Sequence, residues 1–153
     1  MKVAVIGAGT MGSGIAQTFA QADAVETVYL CDIKQEYADG GKAKIQKGFD
    51  KRIAKGKMEQ AAADKIMAKI QTGLNEICTD ADLVVEAALE VMDIKKNCFK
   101  ELQESIVKNP DCIFASNTSS LSITEIGTGL PKPIIGMHFF NPVPMLKLVE
   151  VIK

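Results

Sequence analysis

The sequence predicts an α/β fold built on a doubly wound, mostly parallel sheet, and three observations carry that prediction. Short apolar runs alternate with stretches of helical periodicity along the whole chain. The first run ends in three glycines spaced G-x-G-x-x-G, Gly7, Gly9 and Gly12, and a helical stretch follows at once. The second run, Val28-Tyr29-Leu30-Cys31, closes on Asp32, 20 residues beyond Gly12. With 153 residues, 47% of them hydrophobic, the chain makes one domain, 1–153, with a substantial core.

Lys2–Ile6 reads as a buried parallel strand, short and continuously apolar rather than alternating. Gly7 permits the tight turn off it, Gly9 leaves bare backbone for a pyrophosphate, and Gly12 lets the next helix pack closely. That helix, Thr10–Ala22, turns its unpaired N–H groups toward the phosphates, and Thr10 and Met11 complete the binding stretch. A secretory leader is the competing reading, but four glycines interrupt the run and its basic region is one lysine. Val25–Cys31 is the second strand, and Asp32 stands where a carboxylate receives ribose hydroxyls. A carboxylate repels a 2′-phosphate and no arginine follows, which favours NAD over NADP.

Lys34–Lys57 predicts a lysine-rich helix with Ile45, Phe49 and Ile53 on one stripe, and Gln60–Lys69 a second. The two form a helical hairpin insertion projecting from the sheet, broken at Gly56-Lys57. Ile70–Gly73 and Leu83–Ala87 are strands, the latter with Glu86 inside an apolar run. Val91–Val107 is a helix stopped by Asn109-Pro110. Cys112–Ser116 is a strand running into Asn117-Thr118-Ser119-Ser120, and Ser122-x-x-Glu125 caps a short helix. Pro133–Phe140 and Met145–Ile152 complete a Rossmann-type sheet.

A net charge of −1 argues against a nucleic-acid partner, and no apolar run is long enough to span a membrane. The four cysteines form no C-x-x-C pair, and one histidine cannot complete a zinc site, so no metal is expected. Reduced, buried thiols and a cytoplasmic location follow. The chemistry concentrates in the polar run 117–120 and in His138, the single histidine and a natural proton shuttle near neutral pH. Glu150 lies in an apolar strand and needs a partner; His138 is an available one if the two strands are neighbours, and it would gain a fixed tautomer and a raised pKa from the pair.

At Gly7-Ala8-Gly9-Thr10-Met11-Gly12, Asp82–Ala87, Ala115–Leu121, His138-Phe139-Phe140-Asn141-Pro142 and Met145–Glu150 the chain resembles the L-3-hydroxyacyl-CoA dehydrogenases, within them the bacterial 3-hydroxybutyryl-CoA enzymes. The resemblance implies NAD-dependent interconversion of 3-hydroxyacyl-CoA and 3-ketoacyl-CoA. It implies His138 as acid/base, Glu150 as its orienting partner, and Ser119 touching both substrate and nicotinamide. Asp32, Glu90, Lys95, Asn117 and Asn141 match cofactor-contacting positions. Lys51 and Lys55 match the arm that holds the CoA phosphates. Members of that family continue into an all-helical domain that closes the site and makes the dimer. The chain is therefore expected to be the cofactor-binding half, poorly active alone, with an apolar surface that favours self-association. A dinucleotide-binding module without chemistry and a different hydroxyacid dehydrogenase stay open as alternatives.

Overall fold

The computed structural model describes residues 1–140, 143 and 149–152. Seven strands form one sheet: β1 (Lys2–Ile6), β2 (Thr27–Cys31), β3 (Ile70–Gly73), β4 (Leu83–Glu86), β5 (Ile113–Ser116), β6 (Ile134–Phe139) and β7 (Val149–Ile152). Their order is β3-β2-β1-β4-β5-β6-β7. All pairs are parallel except β6–β7, which is antiparallel. The helices are α1 (Thr10–Ala20), α2 (Gln35–Ala54), α3 (Gln60–Ala68), α4 (Met92–Glu101) and α5 (Ile123–Gly127).

Alternation along β1 sorts the core into two layers. Val3 and Val5 pack with Ile15 of α1, Ile45 and Phe49 of α2, and Met67 of α3. Ala4 and Ile6 face the other side, with Phe99 of α4 and Ile126 of α5. Both faces are thus covered, which is why the central strands read as continuous apolar runs. Strand order reverses between β1 and β4, so a crevice opens beyond their carboxyl ends.

The helical hairpin is present, but most of α2 lies against the sheet rather than projecting from it. Ala38, Gly41, Ile45 and Phe49 are buried on one stripe, and α3 contributes Ala63 and Met67 to the same core. One of its lysines is structural: Lys42 Nζ donates to the Ile70 carbonyl at 2.8 Å. The strand expected from Val25 starts at Thr27, because the Val25 N–H bonds back to Ala22 O in a turn. The single helix expected over 91–107 is α-helical to Glu101 and then widens into a π-helical turn, Leu102–Ile106. The Val107 N–H reaches Leu102 O at 2.8 Å there, and Leu102 and Ile106 are both buried. Ser122 caps α5 as its spacing predicts, its hydroxyl accepting from the Glu125 N–H. The expected strand residues 145–148 and the turn residues Pro142 and Pro144 lie outside the described residues.

All four cysteines are free, and Cys31, Cys78 and Cys112 are buried. Burial pushes the Cys98 and Cys112 thiols up to about 12, so neither is a thiolate at neutral pH. Among the described residues no helix is long and apolar enough to cross a membrane, and no cluster of metal-ligating side chains occurs.

Candidate active site

The glycine turn after β1 has three different surroundings. Gly7 sits at φ +105°, and a Cβ there would meet the Ala87 carbonyl at 2.7 Å. A Cβ on Gly12 would fall 1.6 Å from Gly7 O, so helix and turn touch backbone to backbone. Over Gly9 nothing lies within 4 Å of the same point. The turn therefore keeps one bare backbone face open to a ligand at the N-terminus of α1, whose first turn carries no acidic side chain.

Asp32 braces this turn as well as facing the crevice. Its Oδ2 accepts from the Ala8 N–H at 2.8 Å and its Oδ1 from the Ile33 N–H at 2.7 Å. A cleft of about 300 Å³ opens on one side of it, with Gly7, Ile33, Ile94 and Cys98 in its wall. On the other side a cleft of about 320 Å³ lies between Gly9 and the Tyr37, Gly41 and Lys44 positions of α2. A third cleft, about 300 Å³, lies at the ends of β4, β5 and β6 and is lined by Met11, Glu90, Asn117, Ser119, His138 and Phe140.

The walls of that third cleft are tied together. Asn117 bridges two strands: its N–H donates to Glu86 O, and its side-chain Oδ1 accepts from the Phe139 N–H, both at 2.8 Å. Glu90 Oε2 accepts from Thr118 Oγ1 at 2.6 Å and Ser120 Oγ at 2.8 Å, and Lys95 Nζ stands 3.0 Å from its Oε1. Burial pushes the Glu90 carboxyl up, but the two hydroxyls and the ammonium together outweigh it and hold the group below the ordinary glutamate value. His138 is half-buried, with its ring 4.6 Å from that of Phe140. It stands directly opposite Glu150 in the β6–β7 ladder, which sets the two side chains on one face of the sheet. Among the described residues no hydrogen bond or ion pair joins the two.

The structure thus gathers Met11, Glu90, Asn117, Ser119 and His138 into one cleft and Gly9 and Asp32 beside it. Thr10 is exposed at the start of α1, and Gly12 is buried beneath the turn. Lys95 is not in the cleft wall: its side chain is 1% exposed and sits behind Glu90. Lys51 and Lys55 are exposed at the far end of α2, outside the three clefts. Asn141 lies outside the described residues. The bracing roles of Ser116, Thr118 and Ser120 have one trace in the sequence, the polar run after β5, and it covers only the last two.

A glycine turn after β1, an acid after β2 and a polar cleft at the reversal of strand order define a dinucleotide-binding domain. Residues 2–153 match the family described as 3-hydroxyacyl-CoA dehydrogenase, NAD binding domain, and the chain belongs to that family. It is 49% identical over 156 residues to a 3-hydroxybutyryl-CoA dehydrogenase of Clostridioides difficile, covering 100% of this chain and 54% of that protein. The crystal structure of 3-hydroxybutyryl-CoA dehydrogenase from Escherichia coli superposes with a TM-score of 0.88 at 36% identity, over 99% of this chain and 32% of that one. That of the (S)-3-hydroxybutyryl-CoA dehydrogenase from Ralstonia eutropha gives 0.86 at 36% identity, over 98% and 53%. The chain spans about half the length of the curated relatives it matches. The cofactor of the domain is NAD, and the open face over Gly9 with Asp32 alongside fits it.

Proposed function

We propose that the chain is the cofactor-binding half of an enzyme interconverting (S)-3-hydroxyacyl-CoA, 3-hydroxybutyryl-CoA foremost, with 3-ketoacyl-CoA. The observation that carries this reading is the cleft in which His138 and Ser119 stand beside the glycine turn. NAD, when bound, supplies the nicotinamide carbon that accepts or returns the hydride. Gly9, Thr10 and Met11 receive its pyrophosphate, and Asp32 its adenosine ribose. Glu90 and Asn117 line the nicotinamide end, Asn141 serves as a further contact to the cofactor, and Lys95 contributes through Glu90.

In the oxidative direction His138 takes the proton of the substrate's 3-hydroxyl; in reverse it returns that proton to the keto oxygen. Ser119 donates to the same oxygen and fixes its distance from the imidazole. Glu150, opposite His138 in the ladder, steadies the imidazolium once it forms. Lys51 and Lys55 reach toward the CoA phosphates from α2. The edge strand β7 leaves Val149, Val151 and Ile152 exposed, which supports self-association or cover by a helical partner domain there.

The test supplies the helical domain of a relative in trans and follows NADH oxidation with acetoacetyl-CoA. His138→Ala is expected to lower kcat by about 10²–10⁴-fold with NADH affinity kept. Unchanged turnover would remove His138 from the chemistry. Tight NADH binding without turnover in any reconstitution would make the chain a binding module instead.

A further inference from the structure

Of the five buried polar or charged residues among those described, four belong to one network: Glu86, Lys95, Ser116 and Thr118. At its centre Glu86, the last residue of β4, is 0% exposed. Its Oε1 accepts from Ser116 Oγ at 2.6 Å and Lys95 Nζ at 2.9 Å. Its Oε2 accepts from the same ammonium at 2.7 Å and from the Ala88 N–H at 2.6 Å. The carboxylate therefore has every partner it can use, and of these only Ala88, through its backbone N–H, belongs to the cleft wall.

Such a pair is a poor source of stability, since desolvating two ions offsets most of their attraction. It does fix geometry. Lys95 is gripped by Glu86 on one side and meets Glu90 Oε1 at 3.0 Å on the other. Glu90 in turn holds the hydroxyls of Thr118 and Ser120, the two neighbours of Ser119. The Thr118 N–H also donates to Ser116 Oγ at 3.3 Å, closing the circuit back to Glu86.

We infer that Glu86 is a positioning residue for the nicotinamide-side cleft: it sets Lys95, Lys95 sets Glu90, and Glu90 sets the loop that carries Ser119. The inference rests on the dehydrogenase reading above. Glu86 has no exposed atom with which to touch cofactor or substrate, so any effect it has on binding is transmitted through the groups it holds: Lys95, Ser116 and the Ala88 backbone.

Calorimetric titration of NADH into the wild type, Glu86→Gln, Glu90→Gln, the double variant and Ser116→Ala tests it, each checked for cooperative unfolding. Glu86→Gln keeps the shape and removes the charge that holds Lys95. It is expected to raise Kd about tenfold, the size of a coupling within one hydrogen-bonded network. Because Glu86 and Glu90 hold the same loop, their effects should overlap, and the double variant should lose clearly less than the product of the two single losses. A Glu86→Gln protein with a lowered Tm and the wild-type Kd overturns the inference, and so do losses that multiply in the double variant. Should Glu86→Gln not fold, Ser116→Ala decides: about a threefold rise in Kd supports the circuit, and an unchanged Kd overturns it. A wild-type chain that does not bind NADH at all overturns the dehydrogenase reading itself, a result distinct from either.

Discussion

Gly9 and Gly12 lie three positions apart, and an added methyl group would meet open space at one and backbone at the other. At Gly12 a Cβ lies 1.6 Å from the Gly7 carbonyl oxygen, a contact relieved only by moving helix against turn. Gly12→Ala is expected to lose roughly 3 kcal/mol of stability, read as a fall in the urea midpoint. At Gly9 the methyl enters empty space on the ligand side of the turn. Gly9→Ala should therefore unfold as the wild type does and bind NADH at least about tenfold more weakly. Equal stability losses in the two variants would refute the division of labour. Spacing alone made the turn glycines and Asp32 legible as neighbours of one crevice, whereas His138 stood out only as the single histidine in a polar stretch. Lys95 was not legible in that way. One lysine in a charged helical stretch reads as solvated, and only the placement of Glu86 beneath it shows why it is buried.

At the scale of the element, α2 separates glycines that pack from glycines that merely weaken a helix. A Cβ on Gly41 would stand 2.9 Å from Ala8 Cβ and from Ala8 O, so the helix touches the cofactor turn through that position. Gly48 is exposed in mid-helix with nothing within 4 Å. Gly48→Ala should add about 0.5–1 kcal/mol of stability by stiffening the helix. Gly41→Ala should lower both the thermal midpoint and NADH affinity, because it displaces Ala8 and with it the backbone donor to Asp32. Scanning fluorimetry with and without NADH reads both effects. The helix itself was legible from Ile45, Phe49 and Ile53, whereas the packing of Gly40-Gly41 was not. A double glycine reads locally as a helix breaker, and it is the close approach of Ala8 that favours the small residue at 41. The π-helical turn after α4 left no mark in the pattern: Leu102 and Ile106 are four apart, a spacing that an ordinary helix also puts on one face, and both are buried.

For the molecule as a whole, the alternation of strands and helices made the doubly wound sheet legible, and the burial of both its faces made each central strand continuous. The tie beneath the sheet, at the opposite end from the clefts, was not legible, because its members are scattered along the chain. Asp80 accepts from Tyr29 Oη at 2.7 Å and from Lys2 Nζ at 2.5 Å, joining the start of β1, the strand β2 and the turn before β4. The Lys2 ammonium first, and the Tyr29 hydroxyl after it, hold the Asp80 carboxyl below its ordinary value of 3.8. Asp39 is lowered too, by the Thr72 hydroxyl and then by Gln35. A carboxyl that titrates lower in the folded protein adds stability above its unfolded pKa and loses that contribution as pH falls through the folded value. Stability should therefore hold from pH 7 to about pH 5 and decline below pH 4. Asp80→Asn removes one of the groups responsible. Its urea midpoint should lie below that of the wild type at pH 7, and the gap should narrow as both approach pH 3. Midpoints that stay a constant distance apart across that range would show that the Asp80 tie stabilises by shape and not by charge.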